Sequence, residues 1–141
     1  MNISPARTAA FDILSRIETE RSFSSVLLPQ YEAKLPPGDR GLCHQLVLGV
    51  LRRQLFLDSI IDSFSKGRKL DTAVRIALRL GLYQLKYLDR VPQHSAVNES
   101  VNLAHRAKKS SARSFVNALL RRATREPFDP FYSDEAERLS F

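Results

Sequence analysis

Apolar residues recur at three- and four-residue intervals along almost the whole chain, and nowhere does a sustained two-residue alternation replace them. That spacing lines one face of an α-helix and would scatter across both faces of a strand, so it predicts an all-α fold. The first run is Ala6, Ala9, Ala10, Ile13, Leu14 and Ile17, with Thr8, Asp12, Ser15 and Arg16 on the opposite face. Ser4-Pro5 before it offers a hydroxyl N-cap and a proline at the first helical position, where no backbone N–H is needed. A second helix is expected to be capped within Ser22–Ser25 and to carry Val26, Leu27, Leu28 and Tyr31, with Pro29 either in its first turn or shortening it. Pro36-Pro37-Gly38 reads as a break.

The third helix is predicted from about Asp39 to Arg53, with Leu42, Cys43, Leu46, Val47, Val50 and Leu51 inward. Gly49 within it costs about 1 kcal/mol against alanine, which implies close approach of a neighbouring helix. A fourth helix covers Leu55 to Phe64 and ends at Lys66-Gly67. Asp71 caps a fifth, which carries Val74, Ala77, Leu78, Gly81, Leu82, Leu85 and Leu88 and stops at Pro92. Ser95 is the expected cap of a sixth, Ala107–Ser111 a polar loop, and Phe115, Val116, Ala118, Leu119 and Leu120 belong to a seventh. The sum is a compact bundle of about seven helices in residues 1–126, followed by residues 127–141 as a linker.

Charge narrows the partner. The 141 residues carry a net +7, yet the last fifteen contribute −3, so the body is more basic than the chain as a whole. A basic body suits a polyanion. Its cations gather at Arg52-Arg53, at Lys66, Arg68 and Lys69, at Arg106, Lys108, Lys109 and Arg113, and at Arg121, Arg122 and Arg125. Cations at helix C-termini are stabilising in themselves, and Arg53, Lys69 and Arg125 fit that role. The Arg106–Arg113 group spans a loop rich in Lys and Ser, which offers charge and hydroxyl donors to phosphate oxygens. The expected RNA contacts are therefore Arg7, Arg16, Arg106, Lys108, Lys109 and Arg113, with Arg121 and Arg122 as second choices. Aromatic interleaving is sparse, so recognition of backbone and shape is expected over base stacking.

Catalytic patterns are absent from the sequence. His44, His94 and His105 have no metal-ligand spacing, the five glycines form no phosphate loop, and the single Cys43 sits on an apolar face where an inert thiol is expected. One cysteine also excludes an internal disulfide and fits a reducing cytoplasm. No apolar run is long enough for a membrane span. No catalytic residue, metal or cofactor is assigned to this chain.

Two blocks point further. One runs Leu78-Arg79-Leu80-Gly81-Leu82-Tyr83-Gln84-Leu85, then Val91-Pro92, then Ala96-Val97-Asn98-Glu99-Ser100-Val101-Asn102-Leu103-Ala104; the other is Phe115-Val116-Asn117-Ala118-Leu119-Leu120-Arg121-Arg122. Together with Ala6-Arg7 and Asp39-Arg40, they resemble the NusB family over about residues 5 to 125. The resemblance implies a bundle of about seven helices that binds RNA. Asn98 and Glu99 would serve free backbone donors and fix the Val91-Pro92 turn, and Asn117 would do the same between helices.

The family has a free-standing form, a transcription antitermination factor that binds a short single-stranded RNA element with a small ribosomal protein. It also has a form fused ahead of a methyltransferase that makes 5-methylcytosine in small-subunit ribosomal RNA. The absence of an arginine run before Pro5 favours the fused form. So does the likeness to it of Gly49-Val50-Leu51-Arg52-Arg53 with Leu57-Asp58, of Asn117–Arg122, and of Ser133–Phe141 as a linker. On that reading the chain is a non-catalytic piece of a larger enzyme. Its S-adenosylmethionine site lies in a C-terminal methyltransferase domain, and the partners are small-subunit ribosomal RNA, that domain and a ribosomal protein. A purely structural module is a further alternative, and it predicts an exposed apolar patch around Phe11, Phe128, Phe131 and Tyr132.

Overall fold

The computed structural model describes residues 2–126. They form α1 (Pro5–Glu20), α2 (Ser24–Glu32), α3 (Pro37–Arg52), α4 (Gln54–Ser65), α5 (Thr72–Tyr87), α6 (Gln93–Arg106) and α7 (Arg113–Arg125), with a 3-10 turn at Ser110–Ala112 before α7. The all-α reading holds, and its helices follow one another in the expected order. The linker assignment, and Phe128, Phe131 and Tyr132 with it, fall outside the described residues.

The α5 helix is the axis of the molecule. It packs on α1, α3, α4, α6 and α7, and Val74 and the whole run Ile76–Gln84 are buried. The buried run is apolar except for Arg79 and Gln84, both of which find partners inside the fold. Two glycines let neighbours close in. A Cβ at Gly81 would lie 2.7 Å from both Ser100 Oγ on α6 and Leu120 Cδ1 on α7, and a Cβ at Gly49 on α3 would overlap the Tyr83 ring. Close helix approach, expected at Gly49, is therefore confirmed, with a tyrosine as the intruding group.

Ionic contacts tie α5 to two further helices. Arg79, 6% exposed, donates from Nε and NH2 to the two oxygens of Asp58 on α4 at 2.8 and 3.0 Å. It also donates from NH1 to Glu18 on α1 at 3.1 Å. Arg75 adds bonds to Asp58 and Asp62. Paired, bidentate geometry is what allows a guanidinium to stay charged in the interior.

Several helix ends differ from expectation. Ser4 does cap α1, accepting from the Arg7 amide. Pro36-Pro37-Gly38 ends the preceding segment, but Pro37 already opens α3, because proline fits the first turn. The α6 helix starts at Gln93 behind Pro92, leaving Ser95 inside its first turn rather than at the cap. No side chain caps α2 or α5, although Asp71 holds the cap position of the latter. Lys66 and Gly67 close α4 in left-handed backbone, at φ 53° and 79°. Phe11 is 5% exposed and belongs to the core. This overturns its place in an exposed apolar patch, since α1 is covered by α2 and α3 as well as by α5. The exposed large apolar side chains among the described residues are instead Phe23, Val26, Leu48 and Leu55.

Candidate nucleic-acid interface

The eight cations expected to meet RNA occupy different settings. Arg7 is turned inward. It is 8% exposed, and its Nε donates to Gln84 on α5 at 2.7 Å. Its NH1 donates to Ser4 Oγ at 3.0 Å and lies 2.8 Å from Glu99 on α6. A guanidinium with three internal partners has little left for a phosphate, so Arg7 is corrected from ligand to structural cation. Glu99 also accepts from the Ser4 backbone amide at 2.6 Å. It therefore serves a free backbone donor as expected, but at the N-terminus of α1 rather than at the Val91-Pro92 turn, where a carboxylate complements the helix dipole. Asn117 accepts from Arg121 Nε one turn along α7 and makes no bond to another helix among the described residues.

Arg16 and Arg106 each pair with a carboxylate of α1. Arg106, at the end of α6, donates to Asp12 at 3.1 Å, and Arg16 lies one turn beyond Asp12 on the same face. Arg16 pairs with Glu20 at 3.2 Å. The Tyr31 hydroxyl and then Glu20 raise its pKa further, so it stays charged at any ordinary pH. Between α1 and α2 lies an open cleft of about 420 Å³, in whose walls Tyr31, Lys34, Thr8 and Asp12 stand.

The second group sits on the connection from α6 to α7. Lys108 takes a left-handed backbone, φ 63°, and its amide donates to the His105 carbonyl. Lys109 lies 3.7 Å from Asp71, which draws the connection against the start of α5. His105 Nδ1 and Ser110 Oγ are 2.8 Å apart and brace the loop. Lys108 and Arg113 are exposed, and neither has an ion-pair partner among the described residues. Two cations in that state, next to Lys109, form a concentrated positive site with serine hydroxyls beside it. On α7, Arg121 is held by Asn117. Arg122 pairs with Glu126 at 2.7 Å and stacks on the Phe64 ring at 4.6 Å.

Sequence reasoning missed Asp12 and Tyr31, because a carboxylate and a lone tyrosine carry no local signature of partners on another helix. Among the described residues no group of three or more His, Cys, Asp and Glu is placed to hold a metal ion, and no helix is long and apolar enough to cross a membrane. Cys43 is fully buried, and burial, with a smaller contribution from Glu32, pushes its thiol up to about 11. So little thiolate forms at neutral pH that Cys43 is a poor nucleophile.

Residues 4–125 match the model of the NusB family. The chain is 40% identical over 124 residues to the probable ribosomal RNA small subunit methyltransferase B of Synechocystis sp., covering 85% of this chain and 28% of that protein. It thus spans under a third of the length of that methyltransferase. It is 29% identical to the transcription antitermination protein NusB of Ruminiclostridium cellulolyticum, over 85% of this chain and 86% of that one. Among solved structures, a chain in the crystal structure of a plectonemic RNA supercoil superposes with a TM-score of 0.78 at 25% identity, covering 86% of this chain and 92% of that chain.

Proposed function

The chain belongs to the NusB family, and from that premise we propose that it is an RNA-binding domain that helps dock a small-subunit ribosomal RNA cytosine-5 methyltransferase on its substrate. The observation that carries the reading is that Lys108 and Arg113, on the braced connection with Lys109, are exposed and have no carboxylate partner among the described residues. Such a site attracts phosphate oxygens and fixes register without reading sequence. The chemistry would lie elsewhere in the larger protein: an S-adenosylmethionine site and the nucleophilic cysteines are expected in a C-terminal methyltransferase domain. The identity and coverage of the Synechocystis protein support the fused arrangement.

The coverage of the Ruminiclostridium antitermination protein, near its full length, supports a second reading, a free-standing factor on a short single-stranded element. Fluorescence anisotropy of the 141-residue chain against two labelled RNAs, a small-subunit ribosomal hairpin and a single-stranded antitermination element, separates them. Hairpin binding that weakens about 150-fold between 50 and 200 mM salt is expected for some four phosphate contacts. Preference for the single strand would favour the second reading, and binding to neither would remove RNA as the partner.

A further inference from the structure

We infer that the cleft between α1 and α2 is a nucleotide subsite that takes one unstacked, amino-bearing base of a single-stranded RNA segment against Tyr31. The inference rests on the RNA-binding reading and adds to it a base contact that the basic connection cannot supply. Recognition of an unpaired base needs an apolar or aromatic wall, a hydrogen-bonding group at its edge and cations for the flanking phosphates. The cleft holds all three. Its volume, about 420 Å³, leaves room for one nucleobase, with Pro5, Leu35 and the Tyr31 ring as walls. Tyr31 is half-buried, so its ring is anchored on the core while part of it faces the opening.

The edge-reading group is Asp12. Arg106 occupies its Oδ1 at 3.1 Å, and Oδ2 has no hydrogen-bond partner among the described residues. A carboxylate oxygen accepts from the exocyclic amine of cytosine, adenine or guanine, and it repels the carbonyl edge of uracil. Thr8, one turn before Asp12 on the same face, adds a hydroxyl to the wall. The flanking charges are Lys34 on the α2 side, Arg16 one turn past Asp12, and Arg106 on Asp12 itself. Arg106 leads along the end of α6 to Lys108 and Lys109, so a strand whose base enters the cleft can continue onto the basic connection. A protein segment would gain the apolar walls, but only an acidic one would use the cations on both sides of the opening.

The test uses the whole chain and fluorescein-labelled twelve-nucleotide oligo(C) and oligo(U) RNAs, read by anisotropy. Wild type should favour oligo(C) by about fivefold. Tyr31→Leu, which keeps apolar volume and removes the aromatic face, should weaken oligo(C) binding about tenfold. The slope of log affinity against log salt should not change, because no phosphate contact is lost. Asp12→Ala should erase the preference between the two RNAs. Thermal melting by circular dichroism confirms that each variant is folded, and Tyr31→Phe, with nearly native packing, should bind like wild type. Full-strength oligo(C) binding by folded Tyr31→Leu overturns the subsite and leaves the cleft to a protein segment. Equal binding of oligo(C) and oligo(U) by wild type overturns Asp12 as the reader. If wild type binds neither RNA while the hairpin also fails, the fault lies with the RNA reading itself.

Discussion

The Arg7 guanidinium on α1 and the Glu99 carboxylate on α6 meet at 2.8 Å, and the same carboxylate caps the Ser4 amide across 95 residues of sequence. One acidic side chain thus neutralises an interior cation and closes the N-terminus of a helix. Gln84, itself 1% exposed, completes the cluster by accepting from Arg7 while donating to the Leu80 carbonyl.

Removing Glu99 should therefore be costly. Glu99→Ala strands a buried charge and a backbone donor, for a loss of roughly 3 kcal/mol in unfolding free energy. Arg7→Met, which removes the charge and keeps most of the volume, should lose less. Urea titration of both variants measures the difference. Because Arg7 faces inward, folded Arg7→Met should also bind RNA with unchanged affinity, and a drop would restore Arg7 to the interface.

The Gly49 position makes an opposite prediction from the one helix propensity gives. Alanine at an exposed site in a helix gains about 1 kcal/mol over glycine. Here its Cβ would fall within the Tyr83 ring, and Tyr83 is itself stacked on Tyr87 at 5.3 Å. Overpacking of this kind costs about 1–3 kcal/mol, so Gly49→Ala should lower the melting temperature. Combining it with Tyr83→Leu should recover part of the loss, and additive losses would show that the ring is not the obstacle.

How far the sequence speaks is clear from such residues. The stripe Ala6, Ala9, Ala10, Ile13 and Leu14 is legible because helix periodicity is local, and all five are buried. Gly49 is legible because glycine inside a helix needs a reason. Arg7 and Glu99 are not, since their partners lie on helices far along the chain and leave no periodic mark. Ser95 is misread because capping signals compete: Pro92 starts the helix first, and a serine in the first turn looks the same on paper. Phe11 is misread for a related reason. It flanks the apolar stripe of α1, and only the packing of several helices around α1 shows that the flank is covered too. Among the candidate contacts, charge and loop composition pick out Lys108, Lys109 and Arg113. The ion pair of Arg106 with Asp12, 94 residues apart in sequence, belongs to the tertiary structure alone.

Cys43 gives a pH dependence. Burial raises its folded pKa to about 11, above the ordinary thiol value of 9.0. The folded state therefore holds a proton that the unfolded state releases between those values. Stability from this group is fully present below pH 9 and is lost as pH rises toward about 11. Cys43→Ala should flatten the decline of unfolding free energy over that range relative to wild type. An unchanged slope would mean that other groups govern it. A thiol reagent at neutral pH should label native protein slowly and urea-unfolded protein at once.

The basic connection lets charge be separated from backbone. Lys108 sits at φ 63°, a conformation that costs a side-chain-bearing residue roughly 1 kcal/mol and costs glycine nothing. Lys108→Gly should therefore raise stability slightly while weakening RNA binding. Lys108→Glu should weaken binding more, with no gain in stability. If Lys108 contacts a phosphate, either change should reduce the slope of log affinity against log salt by about 0.7 to 0.9. Arg113→Gln should reduce it by a similar step, since Arg113 is exposed on the same connection. Lys109→Gln should reduce it by less, because Asp71 at 3.7 Å already neutralises part of its charge. Equal slopes for all of these variants and wild type would place the phosphate contacts on another face of the bundle. Arg121 and Arg122 would then be the next to change. The stack of Arg122 on Phe64 predicts that its loss lowers stability as well as affinity, which distinguishes it from a cation that serves RNA alone.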